Sequence, residues 1–303
     1  NSVYTHSAND GRIFALNKND GAVTWTYAAG EDLHTRPWLE SDTLFAATNT
    51  GKILALNRNS GTARWTYSTG AAIVVGPRIR KKVLYVGSKD GYIHALDVDS
   101  GLLLQKYDGP ESLGSLAVDD ADLYAGSYDD HIYSYNKFTG QVNWSVQTES
   151  WVTDTAVFDH DTVYVGNRAG KLYAVSKRNG IVKWQLKHNG GGWPSPKLSA
   201  DSLYFRGSSF EVFALDKQTG ERRWQFGAQT RIASQVILEA GVLIMVDGLG
   251  RVYAIDRGNG SLSWSTVLPD PPSQVIWSTQ VLEDGTVLIQ SGDGKFYGVD
   301  ARP

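Results

Sequence analysis

GRIFALNKNDGAVTW, residues 11–25, is the stretch that decides the fold, because its positions Ala15, Asn17, Gly21 and Trp25 return down the chain. The copies are Ala55, Asn57, Gly61, Trp65; Ala95, Asp97, Gly101, Gln105; Ser134, Asn136, Gly140, Trp144; Ala174, Ser176, Gly180, Trp184; Ala214, Asp216, Gly220, Trp224; and Ala254, Asp256, Gly260, Trp264. Their glycines stand 40 residues apart, once 39. Spacing this regular indicates an internal repeat, and we expect one repeat domain over residues 1–303.

Each repeat alternates apolar and polar residues with period two, which is typical of β-strands. In the second repeat, TRPWLE, TLFAAT, KILALN and TARWTY read as four short strands separated by turn signals. The first repeat lacks a first strand and the last lacks a fourth, yet both contain second and third strands. The pattern predicts an all-β, eight-bladed β-propeller of four-stranded antiparallel blades around a central channel, with incomplete first and last blades. A strand from before Asn1 is expected to complete the last blade.

The four recurring positions, alanine, Asp or Asn, glycine and tryptophan, form a skeleton of the repeat that has a structural interpretation. Glycine supplies the positive φ of the turn between the third and fourth strands, and the Asp or Asn four residues earlier accepts hydrogen bonds from that turn. We expect the alanine to leave a slot that a tryptophan of an adjacent blade fills, burying on the order of 200 Å² of indole. Trp25, Trp65, Trp144, Trp184, Trp224 and Trp264 are therefore predicted to be packing residues. In the third repeat, Gln105 stands where a seventh docking tryptophan would be. The joint between the third blade and its neighbour should therefore be packed differently or more loosely.

Composition excludes several classes of function. The chain has 29 basic and 32 acidic residues and a net charge of -3, without a block of like charge that would attract nucleic acid. It has no cysteine, which excludes disulfides, thiolate zinc sites and a cysteine nucleophile. No apolar run approaches the roughly 20 residues of a membrane span. No two of its six histidines stand at ligand spacing, and no nucleophile motif is present. We therefore expect no metal site and no catalytic residues.

The pattern Ala-x-Asp/Asn-x-x-x-Gly-x-x-x-Trp resembles the tryptophan-docking motif of the propeller repeats of the pyrroloquinoline-quinone (PQQ) type. Within that family, the eight blades, the compact repeat and the end of the chain after a third strand (DGKFYGVDARP) are similar to a lipoprotein of the bacterial outer-membrane β-barrel assembly machinery. The resemblance implies a periplasmic, lipid-anchored scaffold without enzymatic activity, whose partner is a protein of that machinery. Quinoprotein dehydrogenases of the family share a vicinal cysteine pair, an acidic calcium site and a catalytic aspartate. This cysteine-free chain lacks an insertion to roof a quinone, so no cofactor is expected.

Binding residues are predicted in the loops that enter the later blades. Four tryptophans, Trp38, Trp151, Trp193 and Trp277, lie outside the docking register, and the last three precede or open a first strand. The loops entering blades five to eight carry Glu149 and Trp151, His188 and Trp193, Gln229 and Arg231, and Gln274 and Trp277. Aromatic and arginine side chains on loops of a rigid scaffold are typical interface anchors. The alternative is that these tryptophans pack at the mouth of the channel.

Two hypotheses follow, and a third is weaker. The first is the periplasmic scaffold, which binds a protein partner through the loops on one face. The second is an extracytoplasmic sensor domain, in which a small molecule enters the channel and acts on an attached signalling module. The third is a quinone-dependent enzyme.

Overall fold

The computed structural model describes residues 2–7, 10–33, 37–187, 195–207, 210–239, 241–269, 276–282, 285–291 and 295–300, without the side chains of 276–278. These residues form thirty β-strands and no helix. The strands are arranged in eight antiparallel sheets. The chain divides into two compact units, Asn1–Thr153 and Asp154–Pro303.

The first unit contains blades one to four, and in each sheet neighbouring strands follow one another along the chain. Blade one is β1 (Ser2–His6), β2 (Arg12–Asn17) and β3 (Val23–Ala28); blade two is β4 (Trp38–Glu40), β5 (Thr43–Ala47), β6 (Lys52–Asn57) and β7 (Ala63–Ser68); blade three is β8 (Ile73–Arg80), β9 (Val83–Ser88), β10 (Tyr92–Asp97) and β11 (Leu103–Asp108); blade four is β12 (Leu113–Val118), β13 (Asp122–Ser127), β14 (His131–Asn136) and β15 (Val142–Gln147).

The second unit contains blades five to eight with the same order. Blade five is β16 (Val157–Phe158), β17 (Thr162–Gly166), β18 (Lys171–Ser176) and β19 (Val182–Lys187); blade six is β20 (Lys197–Leu198), β21 (Ser202–Arg206), β22 (Glu211–Asp216) and β23 (Arg222–Gly227); blade seven is β24 (Ile237–Glu239), β25 (Val242–Val246), β26 (Arg251–Asp256) and β27 (Leu262–Val267); blade eight is β28 (Ile276–Val281), β29 (Thr286–Ser291) and β30 (Phe296–Asp300). The predicted fold class, an all-β eight-bladed β-propeller with three strands in the first and last blades, is confirmed.

The core of each unit lies between neighbouring sheets. The middle strands are buried on both faces, as in β5 and β17, where every residue is buried. The fourth strands alternate between exposed and half-buried residues, as in β7. One cluster joins residues of blade two, such as Phe45 and Ile53, to residues of blade three, such as Leu84 and Val86. Burial of these apolar side chains drives neighbouring blades together.

The docking tryptophans contact the following blade, as predicted, but they do not fill a slot left by its alanine. Ala15 lies directly opposite Trp25 within one blade, so the alanine makes room for the tryptophan of its own sheet. The Trp25 indole crosses to the turn of blade two, where Nε1 donates to Arg58 O at 3.0 Å and the ring lies against Gly61. The same contacts join Trp65 to Val98 O and Gly101, Trp184 to Lys217 O and Gly220, and Trp224 to Arg257 O and Gly260.

Glycine is therefore required in these turns for two reasons. All seven turn glycines, Gly21, Gly61, Gly101, Gly140, Gly180, Gly220 and Gly260, have φ between +70° and +77°, which a side chain resists. Where an indole covers the turn, an added Cβ would also meet the ring, at 2.5 Å for Gly101 and 2.7 Å for Gly61. The predicted acceptor role is confirmed as well, since Asn57 Oδ1 accepts from the backbone N–H groups of Asn59 and Ser60.

The two other docking tryptophans are also inside their units. Trp144 is buried, with its ring centroid 6.2 Å from that of Tyr124. Trp264 packs against the apolar cluster of blades seven and eight, and its buried Nε1 has no acceptor among the described residues.

Blade three, whose repeat has glutamine in place of tryptophan, forms its joint through a different side chain. Tyr107, two residues further along β11, is buried, and its hydroxyl donates to Lys137 O at 2.7 Å. This carbonyl corresponds in blade four to Arg58 O in blade two. A Cβ added at Gly140 would lie 3.0 Å from Nε2 of Gln105. The joint is packed differently, as expected, and tyrosine retains the hydrogen bond that the indole makes elsewhere.

A buried histidine connects blades two and three. The His94 side chain is fully buried, at the third-strand position that is Phe14 in the first repeat. Because the Asp90 carboxylate only accepts, His94 Nε2–H donates to Asp90 Oδ2 at 2.8 Å, and Tyr67 O–H donates to Nδ1 at 3.0 Å. Lys106 Nζ lies 3.8 Å from Asp90 Oδ2. Burial lowers the pKa of His94, and hydrogen bonding to Asp90 opposes that shift without cancelling it.

We expect the stability of the protein to fall below about pH 6.5 through His94. The unfolded chain binds a proton near that pH, whereas the lowered pKa keeps the folded ring neutral, so the stabilisation is complete above the unfolded pKa and decreases as the pH falls below it. Denaturant midpoints at pH 7 and pH 5 measure the effect. In His94→Phe the decrease should be smaller than in the wild type. His131→Phe, at a partly exposed histidine of blade four, is the control, and an equal decrease in wild type and His94→Phe would contradict the assignment.

Candidate functional site

The loops that enter a blade lie beside the loops between its second and third strands. Backbone hydrogen bonds of 2.8–2.9 Å join them, from Asn49 N to Asp32 O, Lys89 N to Ala72 O, Tyr128 N to Ser112 O and Gly248 N to Arg231 O. We call this end of each unit its loop face. In the first unit it comprises residues 29–33, 69–72, 109–112 and 148–153 with 48–51, 88–91 and 127–130; in the second unit it comprises 154–156, 195–196 and 228–236 with 167–170, 206–207, 210 and 247–250.

On the loop face of the first unit, Trp151 and Tyr128 form an exposed aromatic pair. Their ring centroids are 5.2 Å apart at an interplanar angle of 63°, an edge-to-face arrangement, and the residues are 39% and 44% exposed. Glu149, also predicted as a binding residue, is exposed on the same loop. The structure thus brings two predicted residues together and adds Tyr128. The aromatic residue in the SYDDH loop was the sequence signal that could have identified it.

The loop that carries Trp151 is anchored on both sides of the tryptophan. The single hydroxyl proton of Thr148 is shared between two carbonyl oxygens, with Oγ1 2.9 Å from Asp130 O and 2.6 Å from Ser150 O. The next residue, Val152, is fully buried, and its N–H donates to Ser127 O at 2.9 Å. The indole is therefore held in an exposed position by a backbone that is fixed before and after it.

On the loop face of the second unit, Arg231 is exposed and directly precedes a buried residue. Ile232 is buried and forms an isolated bridge with Asp247, while Gln229 N donates to the Tyr253 hydroxyl at 3.2 Å. Two apolar side chains on the same face, Phe210 and Leu249, are 50% and 60% exposed. The predicted residues His188, Trp193 and Gln274 lie outside the described residues, and of Trp277 only the backbone, in β28, is described. Their role in binding stays a prediction.

A second group on this loop face carries charge and was not predicted. Arg206 ends β21, and its Nη1 donates to Ile232 O at 3.1 Å and Ser234 O at 3.3 Å. Burial, with Arg231 nearby, lowers the pKa of Arg206, and Asp154 opposes the shift. Burial raises the pKa of Asp154, which is hydrogen-bonded to Ser195. The sequence signal was Arg206 itself, since LYFRG has arginine where LYVGS and LYAGS have glycine.

Neither a metal site nor a membrane helix is found in the described part of the chain. No group of three or more His, Cys, Asp or Glu side chains there could hold a metal ion. Those residues also form no helix of the length and apolar character that a membrane crossing requires.

Known proteins resemble this chain in sequence and in fold. A family model described as outer membrane protein assembly factor BamB matches residues 1–107, 72–192 and 187–303. The sequence matches no curated protein. The predicted resemblance to PQQ-type repeats, and within them to the outer-membrane assembly subunit, is confirmed.

Three solved structures show the same fold. The computationally designed Ika8 protein has 19% identity and a TM-score of 0.84, over 98% of this chain and 92% of that one. BamB from Moraxella catarrhalis has 18% identity and a TM-score of 0.76, over 98% and 90%. A europium-containing methanol dehydrogenase has 13% identity and a TM-score of 0.70, over 96% and 80%. At these identities the likeness concerns the fold alone.

Proposed function

Because the chain belongs to the family of the outer membrane protein assembly factor BamB, we propose that it is a non-catalytic scaffold that binds a protein partner through its loop faces. The partner is a component of outer-membrane protein assembly, and the site of action is the bacterial periplasm. Attachment to the membrane through a lipid on a preceding segment is part of the proposal. The observation that carries it is the exposed aromatic pair of Trp151 and Tyr128 on an anchored loop.

The aromatic pair has the properties of an interface anchor. Tryptophan and tyrosine bury a large area for few rotatable bonds, and they dominate the binding energy of many interfaces. The bonds from Thr148 and Val152 fix the loop before a partner arrives, so little loop entropy remains to be lost on association. Arg231 on the loop face of the second unit is of the same class of anchor.

A quinone-dependent reaction has less support. The likeness to a methanol dehydrogenase concerns the fold, which hosts both enzymes and binding proteins. The sequence contains no cysteine, so the vicinal cysteine pair that the resemblance implies for the quinoprotein enzymes has no counterpart. The absence of a catalytic role is part of our proposal.

Replacing Trp151 with alanine is expected to reduce partner binding at least about tenfold, which is about 1.4 kcal/mol, because interface tryptophans carry much of the binding energy. The measurement is capture of outer-membrane assembly proteins, identified by mass spectrometry, on immobilised wild type and variant, alongside the melting temperature. Arg231→Ala should act in the same direction. Trp193→Ala and Trp277→Ala test the remaining predicted tryptophans.

Phe138→Ala is the matched control, since Phe138 is a 74% exposed aromatic residue in the turn between β14 and β15, away from the loop face. It should leave both capture and melting temperature unchanged. If Trp151→Ala lowers the melting temperature while the folded protein still captures as well as the wild type, Trp151 is a packing residue and the loop face is not the binding surface.

A further inference from the structure

Arg206 occupies a position in the second strand where blades two to five have very small residues. At this position, which pairs with the same place in the third strand as Arg206 does with Val212, stand Ala47, Gly87, Gly126 and Gly166. In blade four, the loop that enters blade five lies so close that a Cβ added at Gly126 would be 2.5 Å from Val152 O. Blade six instead holds a whole arginine side chain beneath the corresponding loop. The crevice at this point is therefore wider than in blade four.

The Arg206 side chain is half-buried, and it forms no ion pair with a carboxylate among the described residues. Its Nη1 donates to the Ile232 and Ser234 carbonyls. Carbonyl groups satisfy donors but do not neutralise a charge. A partly buried cation that lacks a paired anion is costly, and such groups occur where an anion is to be bound. The donors on Nε and Nη2 are those that a carboxylate takes in a bidentate pair.

The surrounding charges favour one singly charged anion. Arg231 is exposed on the same loop face and directly precedes Ile232, whose carbonyl accepts from Arg206 Nη1, and its charge contributes to the lowered pKa of Arg206. Asp154 is within electrostatic range of Arg206 and Lys197, and its carboxyl group is hydrogen-bonded to Ser195. A dianion such as phosphate would be repelled more strongly by Asp154 than a carboxylate would be, and planar carboxylates match the arginine fork.

We propose that Arg206 and Arg231 form a carboxylate-binding site on the loop face of the second unit. The carboxylate comes from an acidic side chain of a protein partner or from a free organic acid. The first source rests on the proposed function, whereas binding of a carboxylate as such does not.

Binding is tested with three probes on the whole protein: acetyl-Gly-Glu-Gly-amide for an acidic side chain, propionate for a free acid, and inorganic phosphate. Arginine Nε–H resonances followed by NMR report the affinity of each. Wild type should bind the glutamate peptide or propionate in preference to phosphate, and the control acetyl-Gly-Gln-Gly-amide should not bind. Arg206→Met and Arg231→Met should each weaken carboxylate binding about tenfold. Asp154→Asn should strengthen it severalfold, because a repelling carboxylate is removed.

Arg78→Met is the matched control for the loss of a half-buried arginine. Arg78 is also half-buried and donates to a backbone carbonyl, that of Leu116 at 3.0 Å, but it belongs to the first unit. It should leave carboxylate binding unchanged. If Arg206→Met unfolds the protein, Arg231→Met, a change at an exposed residue, decides the question. Unchanged affinity in the arginine variants, stronger binding of phosphate than of carboxylates, or no carboxylate binding by the wild type would each overturn the site. Loss of partner capture in Trp151→Ala with carboxylate binding kept separates this site from the proposed function.

Discussion

Gly101→Ala is expected to destabilise the first unit by about 2–5 kcal/mol, the largest effect of any single methyl group that we predict. Gly101 has φ +72°, a conformation that costs an L-residue about 1–2 kcal/mol. The added Cβ would also lie 2.5 Å from Cδ2 of Trp65. The indole cannot retreat easily, because its Nε1 is bonded to Val98 O at 3.0 Å. Chemical denaturation measures the loss.

Glycines in the equivalent turns of two other blades separate the backbone cost from the steric one. Gly21 has φ +73°, and no atom of the described residues lies within 4 Å of an added Cβ, so Gly21→Ala should cost only the backbone term of about 1–2 kcal/mol. At Gly140, with φ +77°, the nearest atom is Nε2 of Gln105 at 3.0 Å, the end of a flexible side chain. Gly140→Ala should therefore fall between the two. Equal losses in all three variants would show that the indole contact contributes nothing.

Tyr107→Ala is expected to cost about 3–5 kcal/mol, the range for truncating a large buried aromatic residue. Tyr107 is only 2% exposed, packs 6.4 Å from Tyr85, and makes the hydrogen bond to Lys137 O that an indole makes in other blades. Tyr107→Phe should cost about 1–2 kcal/mol, because the Lys137 carbonyl loses its donor while the ring stays.

Gln105→Ala is the control for this joint. Gln105 stands at the docking position itself, so a joint held by that position would lose more from its truncation than from that of Tyr107. We expect the reverse, with a loss below about 1 kcal/mol for Gln105→Ala, since a half-buried polar side chain contributes little. A larger loss for Gln105→Ala than for Tyr107→Ala would show that tyrosine has not replaced the indole.

The two joints have a consequence for the proposed binding surface. The loops of the loop faces connect strands that the docking residues hold in place, and an anchor such as Trp151 binds well only if its loop is fixed. Variants at Gly101 or Tyr107 are therefore expected to lower the stability of the protein rather than the affinity of the folded protein for a partner. Capture of a partner should change only as far as the folded fraction does.

The repeat itself determined the fold and most of its packing. Glycines 40 residues apart set the number and length of the blades, and the period-two alternation set the strands, because both are local properties of the chain. The skeleton of Asn57, Gly61 and Trp65 likewise identified the turn acceptor, the positive φ and the packing indole. Trp151 and Arg231 could be located on loops because their positions relative to the repeat place them before a first strand.

Only the tertiary structure decided which side chains meet across blades. The alanine lies opposite the tryptophan of its own sheet, while the indole reaches a glycine about 36 residues further on, as Trp25 reaches Gly61. Tyr107 replaces a missing indole from two residues away, and Arg206 lies under the loop of the next blade. These contacts depend on distances between residues far apart in the chain. A repeat pattern specifies each blade by itself, but which side chains of neighbouring blades meet depends on how the blades pack against one another.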